Sequence, residues 1–212
     1  LYPYTYACIA AGTSLPLMRP MVLEYPDDPN TYALDLQYML GSKLLVVPIY
    51  NSAGRRPVYF PAGRWVDFWA YEVTEGPQTR WVEAPLDILP HYVRGDALIP
   101  TVEPTDHVTE DPFNLVTFDG YLLNEGSFEL RDNDGTTRIS AVLERSRLSI
   151  EVDRVKRRLG FRFIPLDGTP PVEVVQVNGV TLDRVDGLGI DAGSAAGWTC
   201  DPNGILVVMI RC

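Results

Sequence analysis

The chain has 212 residues, with 18 Lys and Arg against 28 Asp and Glu and a formal charge of −10. Apolar residues make up 46% and charged residues 22%, a balance that supports a packed core and argues against disorder. The acidic excess excludes nucleic acid as a partner, because such a surface repels phosphate and no basic stripe offsets it.

Other features narrow the class further. The densest basic run, Arg154 to Arg158, is interleaved with Val155 and reads as strand. No apolar run approaches the ~20 residues of a membrane helix, so no membrane partner is expected. Cys8, Cys200 and Cys212 show no metal spacing and read as buried reduced thiols, which favours a cytoplasmic location. The chain opens on Leu1-Tyr2-Pro3 without a signal-peptide pattern and closes on Arg211-Cys212 after an apolar run, so both ends read as cut edges.

In chain order, Tyr2 to Ala11 reads as a helix capped at Gly12. Leu15 to Tyr25 is apolar, and Pro16 and Pro20 make it extended. Asp27-Asp28-Pro29-Asn30 then signals a helix start, with Tyr32, Leu36, Met39 and Leu40 inward and Gly41 as the stop. Lys43 to Ile49 is a continuous apolar β run, as expected of a parallel strand buried on both faces. Residues 1–50 therefore read as the last β/α elements of a (β/α)8 barrel, since one parallel unit cannot close a sheet alone.

From Asn51 the pattern is all-β, with short runs between Gly, Pro, Asn and Asp. Strands are expected at 56–60, 64–67, 78–83, 90–93 and 98–100, with Pro61-Ala62-Gly63 as a tight turn between the first two. A linker from Glu103 to Pro112 leads to strands near 115–118, 128–132, 138–144, 147–155, 158–164, 172–177 and 205–210. Asn133-Asp134-Gly135 and Asn178-Gly179 read as hairpin turns. The expected fold class is mainly β: two β-sandwich modules, 51–111 and 112–212, preceded by the barrel end at 1–50.

Few residues suggest chemistry. Catalytic groups of β/α barrels lie at strand ends, which here are Glu24, Asp27 and Asp28, then Tyr50 and Asn51. Asp27 and Asp28 are the substrate-binding candidates, although capping the following helix accounts for them more simply. His91 and His107 are isolated and make neither a triad nor a ligand set. Asp132-Asn133-Asp134-Gly135 starts like a calcium loop, but its twelfth position is Leu143, so a hairpin turn is expected and no metal site. Trp65, Phe68, Trp69, Tyr71 and Trp81 could stack on sugar faces, but alternation buries at least half of them in a core. From the residues alone, no catalytic constellation and no cofactor site emerges.

Four strings carry a resemblance. Leu15–Ile49, with LPLMRPMVLEYPDDPNTYALDLQYMLGSKLLVVPI, resembles the end of the catalytic barrel in glycoside hydrolase family 31, the α-glucosidase and α-xylosidase family. YFPAGRWVDFW at Tyr59–Trp69, ILPHYVRGDALIP at Ile88–Pro100 and FELRDNDGTT at Phe128–Thr137 resemble later strings of that family, in the same order. YPDDP, QYMLG and TRWVEAPLDILPHYVRG most resemble its α-xylosidase branch. Gly95-Asp96 departs from the usual family doublet at a turn.

The resemblance implies a retaining, exo-acting α-glycosidase that cleaves terminal α-xylosyl or α-glucosyl residues by two displacements with an Asp pair. The D-x-x-E nucleophile motif is absent from this chain, so no catalytic residue is carried over and the 212 residues alone are expected to be inactive. The implied partner is an α-linked oligosaccharide, and homo-oligomerisation is left open. The competing reading is a non-catalytic carbohydrate-binding or structural β-sandwich module, with Trp198 and Tyr121 as the aromatic residues of its distal part.

Overall fold

The computed structural model describes residues 1–102, 115–132, 135–154, 157–186 and 196–210. The chain divides into two compact units, Tyr6–Gly95 and Leu1–Thr5 with Asp96–Cys212. Helix α1 covers Tyr2–Thr13 and belongs in part to each.

In the Tyr6–Gly95 unit, β1 (Met18–Pro20) leads into a one-turn helix α2 (Met21–Glu24) and a 3-10 turn at Pro29–Thr31. The strands β2 (Tyr38–Leu40), β3 (Leu44–Val46), β4 (Arg55–Asp67), β5 (Val73–Glu83) and β6 (His91–Arg94) follow. They form one six-stranded sheet of order β1-β2-β3-β6-β4-β5, and each ladder in it is antiparallel. Met21, Met39, Leu45, Val47, Val58, Phe60, Trp65 and Tyr92 share one core. Each such side chain stabilises the unit by about 1.5–3 kcal/mol on burial. Phe60 meets Tyr92 edge-on at 4.7 Å between ring centres.

Three expectations change in this unit. The strand of the KLLVVPI run is antiparallel to both neighbours rather than parallel. A continuous apolar run reports burial on both faces, and a covered antiparallel strand meets that condition equally well. Val46 is buried in this sheet, whereas Val22 is exposed. The helix expected from Asp28 to Gly41 is only the 3-10 turn, and Tyr38–Leu40 is a strand. Pairing with β1 and β3 outweighs the helical spacing of Met39 and Leu40.

The turn expected at Pro61-Ala62-Gly63 is a bulge inside the 13-residue strand β4, with the register shifting between Phe60 and Gly63. The backbone closes in there: a Cβ on Gly76 of β5 would lie 1.9 Å from the Pro61 carbonyl oxygen. The Trp65 indole N–H donates to that same carbonyl at 2.8 Å and holds the bulge from the core side.

The other unit carries β7 (Ala97–Thr101), β8 (Leu115–Tyr121), β9 (Glu125–Asp132), β10 (Gly135–Glu144), β11 (Arg147–Val152), β12 (Arg158–Phe163), β13 (Val174–Val177), β14 (Val180–Thr181), β15 (Gly197–Cys200) and β16 (Leu206–Ile210). They form a ten-stranded sheet of order β14-β13-β11-β10-β9-β7-β8-β12-β16-β15. The strand at 98–100, expected with residues 51–111, pairs here with β8. Stacked rings of Phe118 and Phe161, 5.5 Å apart, mark its core. Tyr2 stacks on Phe128 at 5.8 Å, and Thr5 exchanges hydrogen bonds with the Arg131 backbone. Asn178 (φ 49°) and Gly179 (φ 77°) make the expected left-handed turn between β13 and β14.

Candidate functional site

The outer face of β4 and β5 gathers the candidate groups. Along β4, Arg56, Val58 and Phe60 are buried, while Arg55 and Pro57 on the opposite face are exposed. Period-two alternation puts Tyr59 on that second face too, but Tyr59 is buried there. Across the ladder its members pair with β5: Arg55 with Glu83, Pro57 with Trp81, Tyr59 with Thr79. Trp81 is 65% exposed, and the Arg55 guanidinium lies 5.5 Å from its ring centre.

The YPDDP segment meets this face at Tyr59. Asp28 caps the 3-10 turn through the Asn30 backbone N–H (3.1 Å), and its Oδ1 also accepts from the Asn30 side-chain amide (2.9 Å). Its Oδ2 accepts from the Tyr59 hydroxyl at 2.5 Å. The Tyr59 hydroxyl holds the Asp28 carboxyl below its ordinary range, the Asn30 amides add to this, and burial opposes it. Burial first, and then the Asp28 carboxylate, push the Tyr59 phenol up. Asp27 is exposed. The two acids therefore do not converge as an acid–base pair: Asp28 is committed to a cap and to Tyr59. The capping expectation from the sequence holds, although the capped element is one 3-10 turn.

Sequence reasoning missed what holds Tyr59. Strand β6 pairs with β4 only at Trp65–Asp67, so at Tyr59 the side of β4 away from β5 has no strand neighbour in the sheet. Gln37, 2% exposed, fills that place: its amide donates to the Tyr59 carbonyl (2.7 Å) and its Oε1 accepts from the Tyr59 N–H (3.1 Å). Arg56, also buried, donates to the carbonyls of Leu36 and Pro48 and ties the same connection down. Gln37, a polar residue set between Leu36 and the apolar Tyr38-Met39-Leu40, was the available signal.

The remaining candidates separate. Trp65 is fully buried and Phe68 half-buried, whereas Trp69, Tyr71 and Trp81 are exposed. Trp69 is held locally: its indole N–H donates to the Leu89 carbonyl at 3.2 Å, and its ring meets Phe68 and His91 edge-on. His91 lies 4.2 Å from the Phe68 ring, with Nδ1 3.0 Å from the Leu89 carbonyl, a structural role as expected. Tyr50 is exposed, and Asn51 bonds the Arg55 backbone. Glu24 pairs with the buried Arg19 at 2.7 Å.

In the ten-stranded unit, Trp198 and Tyr121 are 4% and 2% exposed, so neither offers a ring to a sugar. A cavity of about 370 Å³ there is lined by Leu122, Leu148, Phe163, Pro170 and Leu206, with Cys200 among them. Its apolar walls suit no sugar hydroxyl. Cys200, at the end of β15, is exposed and Cys8 is half-buried, where both were expected to be buried. His107, Cys212, the Glu103–Pro112 linker and the Asn133-Asp134 tip of the calcium-like turn lie outside the described residues. Among the described residues no group of three or more His, Cys, Asp or Glu could hold a metal ion, and no helix is long and apolar enough to cross a membrane.

Known proteins share this pattern. Residues 14–99 match the glycosyl hydrolase family 31 C-terminal domain. Alpha-glucosidase 2 of Bacillus thermoamyloliquefaciens is 38% identical over 153 residues, which is 71% of this chain and 19% of that protein. Alpha-xylosidase XylQ of Lactiplantibacillus pentosus is 34% identical over 88% of this chain and 24% of its own length. A family 31 dextranase of Flavobacterium johnsoniae, solved with isomaltotriose, superposes on 99% of this chain and 29% of its own, with a TM-score of 0.83 and 28% identity. The chain thus spans about a fifth to a quarter of the length of these curated relatives.

Proposed function

The chain belongs to glycoside hydrolase family 31, and from that we propose that it is the C-terminal part of a retaining, exo-acting α-glycosidase. The observation that carries this reading is the match of residues 14–99 to the family's C-terminal domain, together with the superposition on a family 31 dextranase along almost the whole chain. The substrate class is a terminal α-xylosyl or α-glucosyl residue of an oligosaccharide. YPDDP, QYMLG and TRWVEAPLDILPHYVRG favour the xylosyl side, as does the similarity to an α-xylosidase. The similarity to an α-glucosidase keeps the glucosyl side in play.

This stretch supports a catalytic domain rather than supplying its chemistry. Two-step retaining hydrolysis needs two carboxyls ~5 Å apart across the scissile bond. Asp28 is engaged with Tyr59 and Asn30, and Asp27 lies apart in the solvent. Among the described residues α1 is the one helix longer than a single turn, so it is the element suited to complete a β/α barrel. The strands after it form the supporting sheet.

The test is hydrolysis of aryl α-xylosides and α-glucosides. The purified 212-residue chain should turn over neither, and the longer protein that contains it should turn over at least one. Activity of the short chain above buffer would overturn the supporting role. A longer protein inactive on both sugars would overturn the glycosidase reading.

A further inference from the structure

We infer that the ten-stranded unit holds a binding site for a small, uncharged, apolar molecule of about two aromatic rings. The site is the cavity of about 370 Å³ at one end of that sheet. Leu143 and Leu148 wall it from β10 and β11, and Phe163 and Leu206 from β12 and β16. In the sheet order β9, β7 and β8 separate these two pairs of strands, so distant parts of one sheet meet at the cavity. Leu122, Leu148, Phe163, Ile164 and Leu206 are buried and form its floor. Its rim is exposed and consists of Pro165, Pro170, Pro171, Cys200 and Gly204.

The walls are held open by their own packing. The Phe163 ring lies over Gly120, where a Cβ would come within 2.4 Å of it. The three rim prolines have a fixed φ and little freedom to fold inward. Thr169 closes its turn on the Leu166 carbonyl, with its N–H at 3.0 Å and its hydroxyl at 2.6 Å. An apolar cavity of about 150 Å³ stays dry and takes one benzene, so a volume of about 370 Å³ has room for about two rings.

The lining selects the occupant. No residue around the cavity carries a charge or a carboxamide. The Thr169 hydroxyl is engaged with Leu166, and the Cys200 thiol is a weak donor. A sugar or a peptide backbone would leave its polar groups unpaired there, and an anion such as a fatty acid would find no cation. A protein surface is disfavoured by what surrounds the cavity. Among the described residues of Asp96–Cys212, Val180 is the one large aliphatic or aromatic side chain left exposed, and it lies on β14, at the opposite edge of the sheet from β15. The apolar area is thus concentrated inside the cavity and is not spread around it, as an interface core would need. The inference uses no part of the glycosidase reading.

The test is a fluorescence titration of the 212-residue chain with N-phenyl-1-naphthylamine and with its sulfonated analogue, 8-anilinonaphthalene-1-sulfonate. The two probes share one ring skeleton and differ by one negative charge. We expect saturable binding of the neutral probe, with a Kd on the order of 100 μM or below, and at least tenfold weaker binding of the sulfonate. Bound neutral probe should slow alkylation of Cys200 by iodoacetamide severalfold, read by peptide mass spectrometry, with Cys8 of the other unit as internal control. Leu143→Trp and Val172→Trp fill the cavity from half-buried wall positions and should each weaken binding about tenfold or more. Val22→Ser, at an exposed apolar position of the other unit, should leave it unchanged. Melting temperatures report whether the Trp variants are folded, and Cys200 protection in the wild type stands independently of both. Absence of saturable binding, equal affinity for the sulfonate, unprotected Cys200, or wild-type affinity in the folded Trp variants would each overturn the site. A chain that dimerises and shields Cys200 without any probe would assign the cavity to a second copy and overturn it as well.

Discussion

Replacing Gln37 by Leu tests how the Tyr59 stretch of β4 is held. The change keeps the apolar volume of the side chain and removes both hydrogen bonds to the Tyr59 backbone. The site is 2% exposed, so water cannot substitute. Each orphaned backbone group costs about 1–3 kcal/mol, and the gain from a more apolar side chain offsets part of this. A net loss of roughly 3 kcal/mol is expected in denaturant unfolding of the Tyr6–Gly95 unit. Because a chain of two units need not unfold in one step, hydrogen exchange at the Tyr59 amide is the direct readout and should speed up strongly.

Gln37→Glu supplies the diagnostic sign. The protonated carboxyl has a donor and an acceptor and can imitate the amide, while the ionised one would face the Tyr59 carbonyl with no proton to give. The folded-state pKa of the introduced carboxyl should therefore lie above its unfolded value of about 4.3. The variant should match the wild type below that pH and lose stability as pH rises through the folded-state pKa. A loss under about 1 kcal/mol in Gln37→Leu, with Tyr59 amide protection unchanged, would refute the surrogate-strand account.

Two further outcomes follow from the same unit. Trp65→Ala should cost about 3–5 kcal/mol, as a fully buried indole leaves a large cavity, whereas Trp65→Phe should cost about 1–2 kcal/mol, mostly from the lost bond to Pro61; equal losses in thermal unfolding would contradict the cavity argument. The depressed Asp28 carboxyl contributes stability that is present above its unfolded pKa and is lost as pH falls through the folded value. In Tyr59→Phe, carbon-detected NMR should find the Asp28 titration moved back up toward an ordinary carboxyl; no movement would remove Tyr59 as the main cause.

Much of the sheet pattern was legible. Period-two alternation in Arg147–Val152, the continuous apolar run at Leu206–Ile210 and the Asn178-Gly179 turn are local signals that the structure keeps. The strand at Tyr38–Leu40 was not legible, because the spacing of Tyr32, Leu36 and Met39 is that of a helix, and pairing with β1 and β3 overrode it. The capping role of Asp28 could be read from Asp-Pro-Asn. Its bond to Tyr59 joins residues 31 apart in sequence and has no local trace.

By itself the sequence determined the mainly β composition of residues 51 onward, the Asn178-Gly179 turn and the family, since these rest on side-chain period, on backbone-permissive residues and on strings short enough to be read locally. Tertiary structure alone decided that residues 18–46 join the same antiparallel sheet as 55–94, that Gln37 stands in for a missing strand, and that Trp81 is left exposed while Trp65 is buried. The reason is physical: burial and alternation are properties of one strand, whereas direction, register and the neighbour across a ladder belong to pairs of strands distant in the chain.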